Sequence, residues 1–142
     1  MPRSPRKLDD AVAYLLWKAQ LTAEKALEGA LRPLDLTPSQ FGALMFLELE
    51  GPLSAADLAR RLEIRPQSVA AGLTGLERRG LVSRTAHPRH GRVLLVRIEP
   101  AGRTLVRRAD VEVERVEQVL LAALPLSLRS AFVRSLRRLV AQ

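Results

Sequence analysis

The chain has no cysteine, which removes disulfides, thiol nucleophiles and thiol redox sensing together. Histidine occurs twice, at His87 and His90, both in one short segment with no carboxylate beside them. Two such residues do not make the three-ligand set a metal site needs, and neither Asp57 nor Glu77 has a catalytic companion at motif spacing. Neither an enzyme nor a bound cofactor or metal is expected. Asparagine is missing and lysine is scarce, 3 residues against 20 arginines, a bias that coding composition explains as well as thermal adaptation does. No stretch approaches the ~20 apolar residues of a membrane span. The opening "MPRSPRKLDD" is polar and lacks the apolar core of a secretion signal. These features predict a cytoplasmic protein with no membrane partner.

Nearly half of the residues, 47%, are apolar and 27% are charged, the balance of a globular domain rather than a disordered chain. Its 142 residues suffice for one ordinary domain or one subunit of an oligomer. The formal net charge of +8 favours an anionic partner. That charge is concentrated. Residues 1–53 carry 6 Lys/Arg against 7 Asp/Glu, residues 54–98 carry 9 against 3, and residues 99–142 carry 8 against 5. The densest stretch, "RRGLVSRTAHPRHGRVLLVRIEP" at 78–100, holds six arginines and no acidic residue before Glu99. A membrane-surface segment would place such arginines on one face of an amphipathic helix. This one reads as a hairpin, because "LVSRT" and "RVLLVRI" have strand composition and "AHPRHG" between them carries a proline and a glycine.

The hairpin follows two short helices. "LSAADLARRLEI" opens with Ser54 as N-cap, and its stripe of Ala55, Leu58, Ala59 and Leu62 faces a core. Three residues later a helix runs from about Pro66 to Arg79 and stops at Gly80, with Val69, Leu73 and Leu76 inward. Two helices joined by a tight turn form the outline of a helix-turn-helix, and a hairpin directly after the second makes a wing. Before them, "LTPSQFGALMFLELEGP" carries a complete helix start: Thr37 as N-cap, Pro38 at the first position and Gln40 as capping-box partner.

Long helices flank this lobe. Residues 7–32 repeat apolar positions every three or four residues up to Pro33. From Pro100 to about Leu124, Val106, Ala109, Val113, Val116 and Leu120 follow a heptad-like spacing. Beyond Pro125, Leu128, Phe132, Leu136, Leu139 and Val140 mark a last amphipathic helix. This is more apolar surface than one helix-turn-helix can cover, so a homodimer is expected. The fold class is mainly α with a small β-hairpin wing: a winged helix-turn-helix lobe at 37–98, with dimerisation helices at 7–34 and 100–141, all within one subunit spanning 1–142.

In such a lobe the second helix enters the major groove of double-stranded DNA. The expected DNA-contacting residues on it are Arg65, Gln67, Ser68, Ala71, Gly72 and Thr74 on the face opposite the core triplet, with Gly75 beside them. Arg and Gln suit guanine and adenine edges, and Ser suits base or phosphate. The small Ala and Gly residues read either as room for close approach to the duplex or as drift on a solvent face. On the wing, Arg89 and Arg92 suit a narrow minor groove, while Arg78, Arg79, Arg84 and Arg97 suit phosphates. The two histidines, once protonated, would add positive charge at the wing tip.

Together "LTPSQFGALMFL", "LSAADLARRLEI", "GLERRGLVSR" and "HPRHGRVLLVRIEPAGR" resemble the MarR family of bacterial transcriptional regulators over nearly the whole chain. The resemblance implies a homodimer, most often a repressor, on palindromic operator DNA. It also implies a small aromatic or phenolic effector bound between the dimer helices and the DNA-binding lobe, for which Tyr14, Trp17, Phe41 and Met45 are the candidate lining residues. The chain departs from the family's pattern in the wing, where His87 and His90 replace two aspartates and Glu99 replaces a threonine. Arg92 matches the family's minor-groove arginine without its acidic brace, and Ala71 stands where a larger base-reading side chain is common. These departures leave a second reading open, a winged-helix module that reads DNA backbone and shape in an architectural or partner-recruited role.

Overall fold

The computed structural model describes residues 4, 5 and 7–142. The first long helix, α1, spans Val12–Leu31 rather than starting at residue 7. Leu8–Asp10 form a separate 3-10 turn and Ala11 is extended, so the chain breaks just before the apolar periodicity becomes continuous. Asp9 and Asp10 suit such a turn, since short acidic side chains favour non-helical backbone. At the other end Pro33 lacks an N–H to continue the ladder, and Arg32–Leu34 tighten into a 3-10 turn closed by Asp35 at φ +53°.

Helix α2 spans Pro38–Glu50 with the expected capping box intact. Thr37 Oγ1 accepts the Gln40 N–H at 3.1 Å, and Gln40 Oε1 accepts the Thr37 N–H at 3.0 Å. Gly51 ends the helix at φ +86°, a conformation that favours glycine. A two-residue strand absent from the sequence reading follows, β1 at Leu53–Ser54, and α3 occupies Ala55–Leu62. Ser54 Oγ accepts the Asp57 N–H at 3.1 Å and donates to Asp57 Oδ2 at 2.8 Å. That Ser54 hydroxyl, with Arg60 beside it, holds the Asp57 carboxyl below its ordinary range against a smaller effect of burial.

Helix α4 spans Pro66–Arg78, with Val69, Leu73 and Leu76 buried. Strands β2 (Val82–Ala86) and β3 (Leu94–Ile98) form the wing. They are antiparallel, Arg84 opposite Val96, and β1 pairs on the far side of β3 through Leu53 and Val96. The wing is therefore one side of a three-stranded sheet ordered β1-β3-β2. Helix α5 spans Pro100–Leu121 and α6 spans Leu126–Val140. Gly102 allows α5 to start against the wing base: a Cβ there would lie 2.2 Å from the Leu81 carbonyl oxygen.

One core joins the lobe to α5. Leu44, Leu47, Leu58, Leu73, Leu76, Val96 and Val106 are almost completely enclosed within it. On α5 the heptad positions Val106, Ala109 and Val113 are buried, and Val116 and Leu120 only half so. No residue of α6 is buried. Leu128, Phe132 and Leu139 stay exposed there, as do Leu15, Leu16 and Trp17 on α1. No single described helix is long and apolar enough to cross a membrane.

Candidate nucleic-acid interface

Helix α4 rests on its floor of Val69, Leu73 and Leu76, which leaves Gln67, Ser68, Ala71, Thr74 and Arg78 exposed on the opposite side, with Arg65 exposed as N-cap. No side chain caps this N-terminus. An uncapped helix start presents backbone N–H groups and the positive end of the helix dipole to an anion. Thr74 Oγ1 donates back to the Ala70 carbonyl at 3.0 Å, so its hydroxyl is partly committed to its own helix.

Gly72 does not share that outer face, a correction to the sequence reading. It is half-buried, as is Gly75, and both turn toward α2. The side chain of Gln40 occupies the space in front of them, and its Nε2 donates to the Gly72 carbonyl at 3.2 Å. The close approach these glycines permit is between two helices of the lobe. Periodicity alone could not separate that from approach to a duplex, because positions 72 and 75 fall between floor and outer face.

The arginines of the basic segment divide into two groups. Arg79 is a tether: its guanidinium donates to the carbonyls of Asp35 at 2.5 Å and Leu34 at 3.1 Å. Arg84 is half-buried and ion-paired to Glu77 at 3.1 Å, so its charge is compensated within the lobe. The sequence reading missed both, since Glu77 and Arg84 sit on different elements and the partners of Arg79 are backbone carbonyls of a distant turn. Arg65, Arg78, Arg89, Arg92 and Arg97 are exposed and form no ion pair among the described residues.

The wing loop at 87–93 is closed by the His87 N–H donating to the Val93 carbonyl and the Val93 N–H to the His90 carbonyl, each at 2.8 Å. His87 does a second job. Its Nδ1 accepts the backbone N–H groups of Arg89 at 3.0 Å and His90 at 3.1 Å, as a short carboxylate would. A ring nitrogen accepts through a free lone pair, so the shape of this turn depends on Nδ1 being available as an acceptor. The His90 ring lies 5.0 Å away, and no group of three potential metal ligands occurs among the described residues. At the wing base Glu99 accepts a hydrogen bond from the Ser83 hydroxyl and leaves the start of α5 without a side-chain cap.

The four candidate effector residues lie on α1 and α2. Tyr14 is half-buried and Trp17 exposed on α1, their ring centroids 6.0 Å apart, while Phe41 and Met45 are half-buried against the core. Two open depressions lie elsewhere, one of about 340 Å³ at the junction of α1 and α2 and one of about 430 Å³ between α5 and α6.

The description of the MarR family matches residues 34–93. Over 132 residues the chain is 35% identical to the HTH-type transcriptional repressor Rv2887 of Mycobacterium tuberculosis, across 92% of this chain and 95% of that protein. The structure of the Mycobacterium tuberculosis MarR family protein Rv2887 in complex with DNA superposes with a TM-score of 0.79 at 30% identity, covering 92% and 98%. A structure of BpsR from Bordetella bronchiseptica, whose DNA binding is regulated by 6-hydroxynicotinic acid, superposes with a TM-score of 0.88 at 26% identity, covering 98% and 99%.

Proposed function

The chain belongs to the MarR family, and from that membership we propose that it is a cytoplasmic transcriptional repressor, acting as a homodimer on palindromic duplex DNA. The observation that carries this reading is the set of arginines with no ion pair among the described residues, Arg65 and Arg78 at the ends of α4 and Arg89 and Arg92 at the wing tip, around an exposed helix face. Helix α4 enters the major groove with Gln67 and Ser68 toward base edges, and the wing lays Arg89 and Arg92 along the adjacent minor groove. Arg84, held by Glu77, braces the wing instead of contacting phosphate.

Dimerisation is supported by the apolar surface left on α1 and α6, including Trp17, Leu128 and Phe132, which a second copy would cover. The effector is proposed as a small aromatic acid, the chemistry that regulates BpsR. Tyr14, Trp17, Phe41 and Met45 line its pocket, which is completed when the partner's helices close over α1. Added 6-hydroxynicotinate should then release a bound duplex, followed by fluorescence anisotropy. Retention of the duplex at saturating ligand would remove this acid from the candidates. A module reading only backbone and shape keeps one supporting observation, the bare Ala71 at the centre of the exposed face.

Selection of bound fragments from a random duplex pool, at about 150 mM salt, separates the two readings. The repressor reading expects an inverted repeat with half-sites about one helical turn apart, with the same repeat selected but less DNA of any sequence retained in Arg92→Ala. Retention without an enriched motif supports the shape-reading module, and no retention at low salt contradicts both.

A further inference from the structure

The proposed DNA reading requires α4 to present its outer face at one fixed rotation, and a floor of three aliphatic side chains does not by itself fix it. Val69, Leu73 and Leu76 set how far α4 stands from the core, but apolar contacts are non-directional and tolerate small rotations about the helix axis. A directional contact occurs on the side facing α2. There Gly72 and Gly75 leave a hollow, and the side chain of Gln40 lies across it. Gln40 Cγ is 3.4 Å from where a Cβ at Gly72 would stand, and Gln40 Nε2 is 3.2 Å from the corresponding point at Gly75.

Both ends of that side-chain amide are used. Its oxygen accepts the Thr37 N–H at 3.0 Å and closes the cap of α2, while its nitrogen donates to the Gly72 carbonyl at 3.2 Å. A carbonyl inside a helix has a second lone pair beyond the one its own ladder uses, so this bond adds to α4 without breaking it. The amide thus joins the first turn of α2 to the middle of α4, 32 residues away in sequence. Arg79 ties the far end of α4 to the Leu34 and Asp35 carbonyls, in the turn just before α2. Between them these bonds fix rotation as well as depth.

We infer that Gln40 is a positioning residue for sequence recognition: it touches no DNA and sets the angle at which Gln67, Ser68, Ala71 and Thr74 meet the base edges. The inference rests on the reading of α4 as the recognition helix. A capping role alone would make Gln40 a determinant of stability only.

Two variants separate these roles. In Gln40→Glu the carboxylate still accepts the Thr37 N–H, since Glu is an ordinary capping-box partner, but it has no donor for the Gly72 carbonyl. In Gly75→Ala the helix gains a better former, while the new Cβ would crowd Gln40 Nε2 at 3.2 Å. Each is compared with wild type by the ratio of affinities for the selected duplex and for a scrambled duplex at equal salt, with Tm measured alongside. Using a ratio cancels the uniform effect of the added negative charge. The expectation is a fall in the ratio of about fivefold or more in both variants, the scale of one lost base-edge contact. In Gly75→Ala it should occur in protein that is fully folded at the assay temperature, as Tm shows, a combination that loss of folded protein cannot produce. A ratio within about twofold of wild type in Gly75→Ala, or in a folded Gln40→Glu, overturns the inference while leaving the DNA reading intact. A wild-type ratio near one would remove that reading, and this inference with it.

Discussion

Helix α4 and the wing tip, the two parts of the proposed DNA interface, are held in opposite ways. Helix α4 has a buried floor, a hydrogen bond from Gln40 of α2, a tether from Arg79 at its C-terminal end to the 34–35 turn, and an ion pair from Glu77 to the wing strand. The wing tip has two backbone bonds across the loop and one imidazole nitrogen accepting two amides, with residues 88–94 all exposed. Sequence discrimination needs a face that does not move, because one displaced base-edge contact loses its directionality. Neutralising phosphates needs only charge within reach, and a loosely held loop supplies it. On the proposed DNA reading the difference divides the labour, with α4 assigned to specificity and the wing to affinity that falls with salt.

The largest expected effect breaks the helix side of this comparison. Leu73 is 1% exposed, and Leu73→Ala should cost about 2–5 kcal/mol of folding stability in urea unfolding, with DNA binding lost alongside. A cost below ~1 kcal/mol would mean that the floor does not hold α4. The wing side should behave otherwise. Arg89→Ala with Arg92→Ala should leave stability within about 0.5 kcal/mol of wild type. It should also lower the slope of log affinity against log salt by roughly one per arginine, equally for selected and scrambled duplexes. A double variant that instead lost sequence preference would erase the division between the two regions.

The smallest effect concerns His87. The ordered turn rests on its Nδ1 acceptor, so removing that acceptor in His87→Ala should loosen the wing in the free protein. Amide exchange at Arg89 and His90, corrected for intrinsic rates, should quicken severalfold in His87→Ala. It should stay near the wild-type rate in His87→Asp, whose carboxylate can accept the same two N–H groups. Exchange in His87→Ala equal to wild type would show that the Nδ1 contacts do not hold the turn.

Much of this architecture was legible in local sequence because local rules decide it. The capping box at Thr37 and Gln40 and the triplet Val69, Leu73 and Leu76 follow from spacing within single helices, and the hairpin follows from composition. What stayed hidden depends on contacts between different elements. Gly72 looked outward until Gln40 was seen against it, and Arg84 looked free until Glu77 was seen beside it. Arg79 reaches back 44 residues to its Asp35 partner, and the two residues of β1 carry no pattern that could announce a strand. On the terminal helices the apolar stripes were readable, and one chain alone leaves them exposed.

The most direct test of the account is the affinity of wild-type protein for its selected duplex and for a scrambled one, by anisotropy from about 50 to 300 mM salt. The account predicts two steep, parallel lines of log affinity against log salt, with the selected duplex bound at least about a thousandfold more tightly throughout. Coincident lines would contradict a sequence-reading α4, and flat lines would contradict an arginine wing that neutralises phosphates.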